Sequence, residues 1–212
     1  MAWFRRPRYD RRETLEAAGR EAVRGRRRRA IALYRTVLLA EPGNVDIHRQ
    51  LAPLLADDGQ VFDAWLSFRA VARAHARDQE FEKALAVWRT AAERLPAKID
   101  AWLAVARLEC RLGRTSAAVA ALVAGSRHQK RRDQRPAAIH LLREALSLAP
   151  GDPQRVVELA LLLARSGRKA EGTLLLERLA ERSEGADRRR VRSAQWRIAP
   201  SFSNAWLWLR SA

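Results

Sequence analysis

A spacing of 54 residues runs through this sequence and constrains it more than any other feature. Pro42, Pro96 and Pro150 stand 54 apart, and so do Gly59, Gly113 and Gly167. Ala84 and Ala138, Trp88 and Leu142, and Ala91 and Ala145 keep the same step, so residues 45–98 align with 99–152 without a gap. A chain with such a period folds as stacked copies of one supersecondary unit, each burying its apolar face against the next.

Each copy reads as three helices. In residues 99–152, Asp100 opens a helix that ends before Gly113, and a second helix runs from about Thr115 to Arg131. A third starts near Pro136, where a missing N–H costs nothing, and stops at Pro150; Asp152 and Pro153 then start the next. Apolar residues recur at helical spacing, as in Trp102, Val105, Ala106 and Leu108, then Ile139, Leu142 and Leu146. No alternating β-branched run bounded by turn residues is found. Pro53 falls inside a helix and is expected to kink it.

The residues inside these units resemble the tetratricopeptide repeat. Trp102, Val105, Ala106, Gly113, Ala118 and Leu122 follow its order of a large residue, a small pair, a turn glycine and then small and large residues. Its second-helix half recurs as Ala30, Tyr34, Val37, Pro42; as Ala84, Trp88, Ala91, Pro96; and as Ala138, Leu142, Ala145, Pro150. The resemblance spans residues 11–182. It implies an all-α, right-handed solenoid of about 12 antiparallel helices with the 54-residue three-helix super-period. Tyr34, Trp88, Trp102 and Leu142 are the expected packing residues, with Gly59, Gly113 and Gly167 at the turns. The helices near Phe62–Arg77 and Ser116–Arg131 serve two repeats at once, and Gly125 and Gly172, standing where small alanines are usual, are expected to weaken theirs.

The organisation that follows is a basic and aromatic arm over residues 1–10, a repeat region over 11–184 and capping helices over 185–212, all in one continuous domain. Ser203 is placed to cap a last short helix carrying Trp206 and Trp208. That helix sits where the first helix of a further repeat belongs. It either covers the last apolar face or offers a docking or dimer surface.

Chemistry-bearing clusters are not found. His48, His75, His128 and His140 are scattered, Cys110 is alone, and no glycine-rich phosphate loop or nucleophile elbow occurs. The expectation is a non-enzymatic chain without cofactor or metal, in the cytoplasm, where a lone cysteine is at home. No apolar run reaches the roughly 18 residues that a membrane span needs.

Net charge is the second constraint. With 41 Lys and Arg against 24 Asp and Glu, the formal charge is +17. Such a field draws acidic proteins, nucleic acids and anionic membranes alike. Arg69, Arg73 and Arg77, four apart, share one stripe of a helix. The aligned helix of the next unit carries Arg127, Lys130 and Arg131, and Arg107 and Arg111 lie on a helix between the two. The family resemblance places positions of this kind in a concave groove, where arginine takes the carboxylates of an acidic peptide bidentately. Arg26, Arg27, Arg28 and Arg29 form one secondary basic patch, and Arg188, Arg189, Arg190 and Arg192 another. The leading function is a scaffold binding an acidic peptide or partner protein. An RNA- or DNA-associated solenoid and a membrane-surface adaptor remain the alternatives.

Overall fold

A computed structural model describes residues 10–210. Among them every regular element is helical: α1 (Arg11–Val23), α2 (Arg27–Ala40), α3 (Val45–Asp57), α4 (Val61–Arg77), α5 (Phe81–Arg94), α6 (Ile99–Arg111), α7 (Thr115–His128), α8 (Arg135–Leu148), α9 (Pro153–Arg165), α10 (Lys169–Arg182), α11 (Gly185–Ile198) and α12 (Phe202–Leu209). A 3-10 turn at Arg132–Gln134 precedes α8. The arm expected over residues 1–10 lies, apart from Asp10, outside the described residues.

Helix starts follow the 54-residue register. First helices α3, α6 and α9 open at Val45, Ile99 and Pro153, second helices α4, α7 and α10 at Val61, Thr115 and Lys169, and third helices α5 and α8 at Phe81 and Arg135. Helix α2 lies one step before α5, and α1 ends at Val23, one step before the end of α4 at Arg77, so α1 and α2 are a second and a third helix. The last step is shorter, since α8 ends at Leu148 and α11 at Ile198, 50 residues on.

The chain divides into two compact units, Met1–Leu95 and Pro96–Ala212. In the N-terminal unit α1 pairs with α2 and α2 with α3, while α4 packs against both α3 and α5. Tyr34, Leu51, Leu55 and Leu85 are buried there, and Trp65 and Trp88 meet with ring centroids 5.1 Å apart. In the C-terminal unit α7 packs against both α6 and α8, α10 against both α9 and α11, and α12 against α11. The shared middle helices expected from the sequence are therefore α4 and α7.

The turns explain why the register is kept. Gly59, Gly113 and Gly167 close the first-to-second turns at φ 79°, 76° and 85°, a left-handed conformation that costs glycine little. After a second helix the left-handed residue is Gly25 at φ 72° and, one register step later, Gln79 at φ 61°. A side chain in that region costs about 1 kcal/mol. Gln79→Gly is expected to raise stability by about that amount, seen as a higher urea midpoint at unchanged slope.

Equivalent long-range contacts tie successive repeats together. Arg27 Nη1 donates to Asp57 O at the end of α3, and Arg135 Nη1, 108 residues later, donates to Arg165 O at the end of α9. Cations at the carbonyl end of a helix also meet its dipole favourably. Arg35 pairs with Asp63, and in the same register Arg143 pairs with Glu171. These pairs are half exposed, so each contributes only a few tenths of a kcal/mol.

Three local expectations change. Helix α7 ends at His128 rather than Arg131, because Gln129 turns inward, buried, and its Nε2 donates to Pro96 O at 2.9 Å. The cap of α12 is Ser201, not Ser203; the Ser201 side chain accepts from Asn204 N. Pro53 lies inside α3, which runs from Val45 to Asp57. Gly125 and Gly172 are sites of close approach: a Cβ on Gly125 would lie 2.6 Å from Trp102 Cγ, and one on Gly172 2.6 Å from Ala160 O.

Candidate functional site: the arginine stripes

Helix α4 buries Trp65, Phe68, Val71 and Ala72 on one side, which turns Arg73 and Arg77 out to solvent and leaves Arg69 half-buried. None of these three arginines has a hydrogen bond or ion pair among the described residues. They are the cations of the described N-terminal unit left without one. Arg28 pairs with Asp58, Arg94 with Asp57, Arg49 with Asp46 and Lys83 with Glu80.

The secondary patches are engaged by their own chain. Arg24, Arg26 and Arg29 surround Glu21, Arg27 holds the end of α3, and Arg28 lies 3.4 Å from Asp58. This also accounts for a run of arginines at a helix N-terminus, where the dipole alone disfavours it. Arg188 Nε donates to Ser183 O, Arg190 pairs with Asp187, and Arg192 donates to Gln195 Oε1; Arg189 is engaged as well.

Neighbouring cations and amides hold several turn carboxyls of the N-terminal unit below the usual range. Glu41 is lowered by hydrogen bonds from Arg11 and Asn44, Asp58 by those from Gln60 and then Arg28, and Glu80 by those from Lys83 and then His75. These carboxyls are engaged by partners within the unit, at its turns, Glu80 by His75 of α4 itself at 2.7 Å.

In the C-terminal unit the expected groove residues are more occupied. Arg107 and Arg111 are exposed on α6, and Arg107 Nε donates to Leu103 O. Arg127 on α7 lies 3.6 Å from Glu158. Lys130 and Arg131 are not on α7 but in the connection after it, where Arg131 pairs with Asp133 at 3.1 Å. One register step from Arg73 and Arg77 stand Arg127 and Arg131; a further step reaches Glu181 and Gly185, so the basic stripe ends there.

Beside Arg107 is a feature that the sequence reading missed. Leu103, Ala106, Arg107 and Cys110 of α6, Leu122 of α7, and His140, Glu144 and Leu148 of α8 line a cleft of about 430 Å³. Its signal was in the register: Leu122, which lines the cleft, stands where Phe68 stands one repeat earlier. Losing that aromatic ring leaves the space between the helices underfilled. The cleft can accept an apolar side chain next to a guanidinium.

Tyr34, Trp102 and Leu142 are buried, with Trp88 half-buried against Trp65. Paired antiparallel helices in one register, joined at left-handed glycines and packed through small residues, decide the architecture. The fold is a tetratricopeptide-like helical repeat.

No family model matches this chain, and no curated protein does either. Among solved structures, a Podosopora anserina putative kinesin light chain with nearly identical TPR-like repeats is similar at 19% identity and TM-score 0.42, covering 90% of this chain and 97% of that one. The Rap conjugation gene regulator of plasmid pLS20, in complex with the Phr* peptide, is similar at 15% identity and TM-score 0.41, over 93% of this chain and 61% of that one. YrrB, a TPR protein with an unusual peptide-binding site, is similar at 16% identity and TM-score 0.31, over 68% and 81%.

Proposed function

We propose that this tetratricopeptide-like chain is a non-enzymatic protein-interaction scaffold that takes an acidic segment of a partner protein on the Arg69–Arg73–Arg77 stripe. In the C-terminal unit Arg127 and Arg131 are its register counterparts, with Arg107, Arg111 and Lys130 as the further cations of the proposed surface. The observation that carries this reading is the state of the α4 stripe: its three arginines have no carboxylate of their own, whereas the basic patches outside the stripes are held internally. A row of guanidinium groups one helical turn apart matches carboxylates at similar spacing and binds each in a fork.

The test is fluorescence anisotropy with a labelled Asp- and Glu-rich peptide. Arg73→Glu with Arg77→Glu is expected to weaken binding about tenfold or more, since two charge-assisted contacts are lost and replaced by repulsion. Arg28→Glu and Arg189→Glu are expected to change it less than threefold, a rim effect. Tighter binding of a single-stranded oligonucleotide, with losses spread over all clusters and a steep salt slope, would show instead that phosphate is the ligand.

A further inference from the structure

Helix α12 is a first helix by register. Trp206 stands six residues after Pro200, as His48, Trp102 and Val156 stand six after Pro42, Pro96 and Pro150. In complete repeats a second helix covers this position. Trp102 donates Nε1–H to Pro96 O at 3.1 Å, stacks on His128, lies against Gly125 and is 8% exposed. His48 Nε2 makes the matching contact to Pro42 O at 3.0 Å. Trp206 has no second helix over it among the described residues. It is 48% exposed, with Arg210 above its ring at 4.5 Å. No residue of α12 is buried, and Phe202, Trp208, Leu209 and the adjoining Trp196 of α11 are exposed too.

Helix α1 is the converse, a second helix with no first helix against it among the described residues. Sizes at matching register positions are complementary. Trp102 faces Gly125; the corresponding pairs are His48 with Val71 and Val156 with Leu179, so a smaller first-helix residue goes with a larger second-helix one. The same position on α1 is Ala17, half-buried, and Arg20 stands in register with His128. Val23, on the outer side of α1, is exposed where the later repeats have Arg77 and Arg131. An Ala17 seat beside a cation suits an indole, which gains both burial and a cation–π contact.

We propose that α1 of a second molecule of this chain covers α12, with Trp206 seated on Ala17 beside Arg20. Helix α12 of one molecule and α1–α2 of the next then make up one three-helix repeat. The two surfaces differ, so the contact is heterologous and does not close, and molecules add end to end as concentration rises.

Sedimentation velocity of the full chain across low to high micromolar concentration, with helicity checked by circular dichroism, tests this. Wild type is expected to grow in mass with concentration. Trp206→Ala, which removes an exposed ring, and Ala17→Glu, which blocks the seat, are each expected to remain monomeric. Because each variant keeps one intact surface, an equimolar mixture is expected to give a dimer and nothing larger. A wild type that stays monomeric throughout overturns the proposal. So does an Ala17→Glu variant that associates like wild type, which would mean that α12 pairs with itself, or a mixture that stays monomeric. Should Ala17→Glu lose helicity, Ala17→Leu takes its place in the same mixture.

Discussion

Gly172→Ala will destabilise the C-terminal unit by about 2 kcal/mol, although alanine is the better helix former by about 1 kcal/mol. The added Cβ would stand 2.6 Å from Ala160 O and 3.4 Å from Ala160 C, so α10 meets the backbone of α9 there, not a side chain that can swing aside. Relief requires the two helices to separate, which loosens the core built from Val157, Leu176, Val191 and Ile198. Urea unfolding checks this, with a lower midpoint expected at unchanged slope. Gly19→Ala in α1 is the control. Nothing lies within 4 Å of a Cβ at that position, so the same exchange should stabilise by up to about 1 kcal/mol. Equal signs at the two positions would refute the close-approach account.

Trp102→Val will cost about 3 kcal/mol alone, and Gly125→Leu will cost as much or more, yet the two together will cost less than either. Trp102 fills the space that a Cβ on Gly125 would enter, with three indole-side atoms between 2.6 and 2.9 Å of it. The repeat one step later carries Val156 and Leu179 at the same two positions, so the double exchange moves a native combination back by 54 residues. Shrinking the indole leaves a cavity, and enlarging the glycine without shrinking the indole forces α6 from α7. A double-mutant cycle on urea midpoints measures the coupling. Additive losses would mean that the two positions are not one packing unit.

The arginines separate what was readable in the residues from what was not. The α4 stripe could be drawn in advance, because Arg69, Arg73 and Arg77 share a helical face by spacing alone. Their lack of partners could not. The acids that neutralise Arg28, Arg35 and Arg94 lie 28 to 37 residues away in sequence, on other helices or the turns after them. By sequence Lys130 and Arg131 belong to α7, since no proline interrupts residues 115–131. The helix stops earlier because Gln129 finds the carbonyl of Pro96, 33 residues back.

What the sequence by itself determined is the all-helical class, the three-helix period and the helix starts to within a residue or two. These follow from local chemistry: a proline cannot continue a helix, a glycine accepts the left-handed turn, and a capping side chain reaches the next few N–H groups. Only the tertiary structure decided that Gly125 and Gly172 are needed where they stand. It also decided which arginines remain unneutralised, that a cleft opens beside Arg107 where Leu122 replaces an aromatic ring, and that Trp206 stays half exposed. Each of these depends on atoms brought together from distant parts of the chain, and packing and charge act over ångströms of space rather than along the sequence.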